Sequence, residues 1–332
     1  MTNMATTTEP PRTADISWDG VDLQALAQKL GTPCHVYSAT AIRQRIGALR
    51  AALHGMNALV CYAAKANSNV AILQLMTEAG FGADIVSAGE MHRSLRAGIP
   101  AQRIVFSGVG KSADEIVEAL SAGIARFNVE SADELHLLQR LAAERGVTAY
   151  AAVRVNPDVD ALTHAKISTG KSENKFGVGI DEARRWFAES ARLTHVRLDG
   201  LHVHIGSQML DPDPIRMALR RVADFWRELV AAGHAINSID VGGGLGVCYR
   251  AGRDQPIAIE DYVAIIRHAL ADFRGRILLE PGRWLAAEAG ALLTRVIRVK
   301  QGRQRRFLVT DAAMTELLRP SLYDAWHEIA PV

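Results

Sequence analysis

The sequence predicts an α/β chain: a closed (β/α)8 barrel with a second, β-rich domain built from both chain ends. Three observations point there. Short β-branched apolar runs alternate with segments of helical period, eight such runs can be counted, and isolated polar residues fall near their carboxyl ends. The alternation alone would suit an open doubly wound sheet equally well. Polar groups at the ends of nearly all strands converge on one place only if the sheet closes, and in a barrel that place is the mouth where active sites lie.

The expected strands are 59–65 (LVCYAAK), 82–87 (GADIVS), 103–108 (RIVFSG), 126–131 (RFNVES), 149–157 (AYAAVRVNP), 198–207 (LDGLHVHIGS), 238–244 (SIDVGGG) and 276–282 (RILLEPG). Each is apolar on both faces, as a parallel strand covered by helices must be. Between the first two, Ile72, Leu73, Met76 and Ala79 follow the 3, 4, 7 spacing of a helix that Gly80 stops. After the fourth, Ser131 and Glu134 suggest a capping box and Gly146 closes the helix. Residues 158–177 are polar and Gly-rich, in the position of a long loop over the barrel mouth. Residues 291–300 and 306–310 suggest a hairpin around QGRQ, and PCHVYS is an isolated short strand near the N-terminus. The expected domains are a disordered lead-in (1–15), an N-terminal contribution to the β-domain (16–40), the barrel (41–285) and a partial C-terminal β-domain (286–332).

Composition narrows the function classes. A chain of 332 residues with 48% hydrophobic content can bury a large core. Its 38 basic and 36 acidic residues nearly balance, and only Arg303, Arg305 and Arg306 cluster locally, so no nucleic-acid partner is expected. No run approaches the ~20 apolar residues of a membrane span, and the N-terminus has no apolar stretch after a basic start. Cys34, Cys61 and Cys248 are odd in number and far apart, which gives neither a disulfide framework nor a metal-ligand spacing. A cytoplasmic protein without a metal is expected.

The polar residues at strand ends carry the chemistry. Lys65 closes an apolar run, where desolvation would lower its ammonium pKa and free the amine for Schiff-base formation; the alternative is a lysine snorkelling to solvent. Asp84 lies in the second strand, and Arg154 and Asn156 in the fifth. Gly242, Gly243 and Gly244 follow SIDV and would let backbone N–H groups approach a phosphate, with the Ser207 hydroxyl nearby; the alternative is a tight turn. Of His202 and His204, one is expected to face the interior, which speaks against a two-histidine metal site, and an imidazole there could stack on a planar cofactor. Glu280 ends RILL, and a carboxylate there needs a partner: a protonated pyridine nitrogen, or an ion pair with Arg283 or Arg154. Arg319 and Tyr323 are four apart and share a face of a turn that Pro320 makes imperfect, an arrangement suited to a carboxylate.

Taken together, YAAKAN, GADIVSAGE, NPDVDALTHAKISTGKSENKFG, HVHIGSQ, DVGGGLG, EPGRW and DAAMTELLRPSLYDAWHEI resemble the fold-type III decarboxylases that use pyridoxal 5′-phosphate (PLP), specifically the diaminopimelate decarboxylase branch. The resemblance runs from about residue 20 to the last residue. It implies a TIM barrel carrying PLP, a β-domain from both chain ends, and a homodimer with shared active sites. It implies that Lys65 holds PLP as an internal aldimine, that His204 stacks on it, and that Glu280 partners the pyridine nitrogen. Ser207, Gly242, Gly243 and Gly244 then cradle the phosphate. Arg283 contacts the phosphate region, the substrate carboxylate, or both. Asp84, Arg154, Pro281 and Gly282 complete the cofactor-binding set, and Arg319 and Tyr323 bind substrate. The implied reaction is decarboxylation of meso-2,6-diaminopimelate to L-lysine, the last step of lysine biosynthesis.

The resemblance also implies a Cys-Glu-Ser motif beyond WHEI, which a chain ending at Val332 does not reach, so a C-terminally truncated chain is expected. The alternatives are a decarboxylase or racemase for another amino acid, a PLP-binding chain without turnover, and an aldolase using Lys65 without PLP.

Overall fold

The computed structural model describes residues 17–160 and 175–332. The lead-in and most of the expected loop at 158–177 therefore lie outside the described residues. Eight parallel strands are present: β1 (Ala58–Ala63), β2 (Gly82–Ile85), β3 (Ile104–Phe106), β4 (Arg126–Val129), β5 (Ala149–Asn156), β6 (Val196–His202), β7 (Ser238–Asp240) and β8 (Arg276–Leu279). Each pairs with the next in sequence, and β8 pairs with β1, so the sheet closes into the expected barrel. A two-residue strand, Val178–Gly179, adds to the end of β5.

The strands end earlier than the apolar runs that announced them. β1 stops at Ala63, and Lys65 sits on a 3-10 turn, Ala64–Ala66, not on the strand itself. β6 stops at His202, so His204 and Ser207 follow it in irregular backbone. In both cases the ladder runs out before the hydrophobicity does, because the chain must leave the barrel to build its mouth.

Closure buries both strand faces. Cys61, Val105 and Leu278 form one core cluster from strands β1, β3 and β8. The helix Asp213–Ala231 between β6 and β7 buries Ile215, Leu219, Val222, Trp226 and Leu229, at the spacing that turns one stripe of a helix inward. Capping holds the connecting helices. Before Ala113–Ala122, Ser112 and Glu115 make a complete capping box. At Ala132–Glu144 the box is only half made: Ser131 accepts from the Glu134 N–H, but the Glu134 carboxylate turns to the Glu130 N–H and Lys111 instead. The buried Lys111 ammonium takes one carboxylate oxygen and the Glu130 N–H the other.

The chain divides into two units, residues 41–248 with 252–288, and the described residues up to Thr40 with 249–251 and 289–332. In the second unit Cys34–Tyr37 is not isolated but pairs antiparallel with Gly290–Leu293. The hairpin is correspondingly shorter than expected, Val296–Gln301 against Arg306–Thr310. The break falls at Thr294 and Arg295, whose hydroxyl and N–H both donate to Asp311 Oδ1 and turn the chain between the two pairings. None of the described helices is long and apolar enough to cross a membrane.

Candidate active site

The site is built where the carboxyl ends of β1, β2, β6, β7 and β8 meet. Lys65 reaches from its 3-10 turn to Asp84 on β2, Nζ to Oδ2 at 3.1 Å; Asp84 is fully buried, while half of the lysine side chain is exposed. Burial pushes the Lys65 ammonium down, as the sequence suggested, but Asp84 and Glu280 outweigh it and hold its pKa above the ordinary lysine value. The expectation of a depressed pKa is therefore corrected: two neighbouring carboxylates, not the apolar run, decide the charge.

Glu280 follows β8 and is buried. Its partners are not the arginines considered from the sequence. Oε1 accepts from Asn128 Nδ2 at 3.2 Å and Ser107 Oγ at 3.3 Å, and Oε2 lies 3.1 Å from His202 Nε2. Burial pushes this carboxyl up, yet the contact with His202 and the charge of Lys65 prevail and hold it well below the usual carboxylate range. Its neighbours go the other way. Burial and the Glu280 charge push Asp84 up, and the same two causes push Asp240 well up. Three buried carboxyls thus share a site in which Glu280 is held low while Asp84 and Asp240 are pushed up, the kind of splitting that assigns different roles to like groups.

Both histidines contribute here, which corrects the expectation of one. Positions two apart on a strand share a face, and β6 ends between the two. His204 accepts from the Gly243 N–H at Nδ1 (3.2 Å), so its proton resides on Nε2. Burial, with Arg154 and Lys65 nearby, holds His204 well below the ordinary histidine value. A neutral, flat ring is what stacking on a planar cofactor requires.

The glycine run is crowded by backbone. A Cβ at Gly242 would meet Val203 O at 2.4 Å, at Gly243 Glu280 O at 2.1 Å, and at Gly244 Gly206 O at 2.3 Å; Gly242 and Gly244 also have positive φ. Only glycines let the loop after β7 lie against the chain after β6 and β8. Two of the three N–H groups donate within the protein, Gly242 to Asp240 Oδ1 and Gly243 to His204. Pro281 O accepts from the Ala63 N–H, and Gly282 lies so near Ala63 and Ala66 that a side chain there would strike them, which sets the EPGR segment onto the lysine turn. Arg283 Nε donates to Ser207 Oγ at 3.1 Å, joining the two residues expected near a phosphate.

Arg154 is buried on β5 and pairs with Glu130 at 2.8 Å, its guanidinium stacked 4.7 Å from the Phe176 ring. Arg319 and Tyr323 belong to the second unit, on the short helix Arg319–Tyr323; despite Pro320 they meet, the guanidinium carbon 5.7 Å from the phenol ring. Asn128, Ser107 and Asp240 were not singled out from the sequence. A lone amide within the apolar run RFNV, and an acid one residue removed from three glycines, were the signals available.

An ionised buried acid, a neutral imidazole, a lysine and a glycine-lined turn joined to Arg283 through Ser207 fit PLP as a group. The family model described as pyridoxal-dependent decarboxylase, pyridoxal binding domain, matches residues 39–287. Diaminopimelate decarboxylase of Pseudomonas aeruginosa is 46% identical over 321 residues, 97% of this chain and 77% of that protein. The Zymomonas mobilis enzyme of the same name is 44% identical over 317 residues, 95% of this chain and 75% of the other. The crystal structure of diaminopimelate decarboxylase from Helicobacter pylori complexed with L-lysine superposes with a TM-score of 0.89 at 43% identity, covering 93% of this chain and 78% of that one. With the barrel, the lysine turn and the ionised glutamate in place, this chain belongs to the diaminopimelate decarboxylase family of pyridoxal-dependent decarboxylases.

Proposed function

We propose that the chain decarboxylates meso-diaminopimelate to L-lysine with PLP as cofactor. The observation that carries this reading is Glu280: buried, held ionised by His202, and accompanied at the same barrel mouth by Lys65. When bound, PLP supplies an electron sink for the pair released as CO2 departs. In the reaction the bond between Cα and its carboxylate breaks, CO2 leaves, and a proton enters at the same carbon.

The roles of the chain's own residues follow. Lys65 would supply the amine that anchors the cofactor. Glu280 would keep the pyridine nitrogen of the cofactor protonated, and its hydrogen bonds from Ser107 and Asn128 keep the carboxylate oriented. His204 would offer the cofactor ring the face of a neutral imidazole. Ser207, Gly242, Gly243, Gly244 and Arg283 would hold the cofactor phosphate, and Asp84, Arg154, Pro281 and Gly282 would shape the remainder of the pocket. Arg319 and Tyr323 bind the distal carboxylate, which is the basis of choice: ornithine or arginine presents a distal cation that an arginine repels. The division into a 41–285 barrel domain and a β-domain from 16–40 and 286–332 belongs to the same reading.

A homodimer in the cytoplasm completes the proposal. The hairpin exposes Ile297, Val299, Phe307 and Leu308 on its two faces, apolar surface that favours a covering partner, and the partly exposed free thiols of Cys34 and Cys248 suit a reducing compartment. The test is CO2 release by the PLP-loaded chain from a panel of amino acids. We expect meso-diaminopimelate to exceed ornithine by about 10²-fold or more. Equal rates on the two would overturn the substrate assignment. PLP absorbance without CO2 release from any amino acid would leave a binding protein instead.

A further inference from the structure

The segment after Arg319 is folded back on itself. The helix Arg319–Tyr323 ends at Asp324, which takes the left-handed conformation (φ 50), and the chain returns through Trp326 to His327. Aromatic and cationic groups interleave there: the Arg250 guanidinium lies 4.3 Å from the Trp326 ring, and that of Arg319 lies 5.5 Å from Tyr249 and 5.7 Å from Tyr323. Tyr249 in turn meets His327 edge to face, with centroids 6.0 Å apart. Rings over the faces of the Arg319 guanidinium leave its N–H edge to make hydrogen bonds.

Two atoms in this cluster are buried with no hydrogen-bond partner among the described residues, Arg319 Nε and His327 Nε2. Among the described residues the other such atoms all lie around Glu280, at Asp84, Asn128, His202 and Asp240. A buried donor without an acceptor is costly, and an acceptor brought by a ligand removes the cost. Burial and the neighbouring Arg319 hold His327 below the ordinary histidine value, so at neutral pH it is an uncharged imidazole beside one fixed cation, and in the tautomer with its proton on Nε2 it is a donor. One positive charge and two donors match one carboxylate.

We infer that His327 is a further specificity-determining residue, donating from Nε2 to the same substrate carboxylate that Arg319 binds. The inference rests on the proposed reading of Arg319 as the distal-carboxylate site. Its consequence is that a substrate ending in an ammonium leaves two buried donors unanswered instead of one.

The test is equilibrium binding of pimelate, a dicarboxylate without amines, to the PLP-loaded full chain by calorimetry. The visible absorbance of Lys65-bound PLP serves as a check that the fold is retained. His327→Phe fills the same space without a donor, and we expect it to weaken pimelate binding by about tenfold or more. His327→Gln, which keeps an N–H donor, should stay within about threefold of the parent. Equal affinities for the two variants would overturn the inference. Arg319→Ala separates the two levels: if it too leaves pimelate binding intact, the carboxylate site itself has failed, whereas loss with Arg319→Ala alone rejects only His327. Should the phenylalanine variant not fold, the unsubstituted protein still decides. The imidazole resonance absent from the His327→Gln spectrum should shift on saturation with pimelate, and no shift would reject the contact.

Discussion

Two buried polar clusters lie side by side at the barrel mouth, and they are finished to different degrees. Around Lys111 every need is met. Its ammonium donates to Gly108 O at 2.7 Å, Asn128 O at 2.8 Å and Glu134 Oε1 at 2.6 Å, using all three protons. Glu134 then accepts from the Glu130 N–H, and Glu130 accepts from Arg154 and from the N–H groups of Gly108 and Gly177. Around Glu280, by contrast, three buried carboxyls crowd together, and His202 Nδ1, Asn128 Oδ1 and Asp240 Oδ2 are left without partners. A completed network fixes the loops after β3, β4 and β5. An incomplete one stores charge and open valences for a ligand to use. The difference separates scaffold from site more sharply than burial does, since both clusters are buried.

Substitutions can break that comparison, and the largest effect is expected at its exposed edge. Lys65→Ala should abolish the visible absorbance of bound PLP and lower CO2 release by at least about 10³-fold, with the fold unchanged by circular dichroism. Glu280→Gln keeps shape and hydrogen bonding but loses the charge. It should reduce kcat by about 10²–10³-fold in a steady-state assay while PLP still binds. In the finished cluster the loss should appear as stability instead. Lys111→Met leaves Glu134 buried without its cation and should cost about 3–5 kcal/mol in urea unfolding. The folded fraction should remain active to within a few-fold. An activity loss there exceeding that of Glu280→Gln would refute the division into scaffold and site.

The smallest effect sharpens the comparison through pH. Asp240 has a folded-state pKa raised well above its unfolded value, by burial first and then by Glu280. The native state therefore holds a proton that the unfolded state has released, and stability falls as pH rises from about 4 toward the folded pKa. Asp240→Asn cannot titrate. The stability difference, variant minus parent, should grow with pH across that window by up to about 1.4 kcal/mol per pH unit. A difference independent of pH would show that Asp240 is not protonated in the fold.

Much of this was legible in the chain. The eight runs, the glycine triplet, Lys65 and Glu280 each announce themselves because a polar or glycine residue interrupts an apolar period, and such interruptions are visible in one dimension. His202 was harder. Its partner, Glu280, is 78 residues away, and the alternation of a strand says which face a residue takes but not what stands opposite. Asn128 and Ser107 likewise become meaningful only when β3 and β4 are laid beside the end of β8. Lys111 sits in a turn and reads as an ordinary exposed lysine. Nothing local shows that three acceptors converge on it. His327 is four residues from Tyr323 in the chain, but the left-handed turn at Asp324 that brings it back was not foreseeable from an aspartate alone.

Periodicity and residue type therefore sufficed for the barrel, the lysine anchor and the glycine turn, because each follows from local sterics and from the transfer of apolar side chains out of water. Closure of the sheet decided the rest. Only with β8 paired to β1 do Glu280, Asp84 and Asp240 share one low-dielectric volume, where the charge of Glu280 raises the pKa of both neighbours. Electrostatic coupling depends on distance in space. That is why the charge of Lys65, which its own strand seemed to make labile, is instead held by two acids from other parts of the chain.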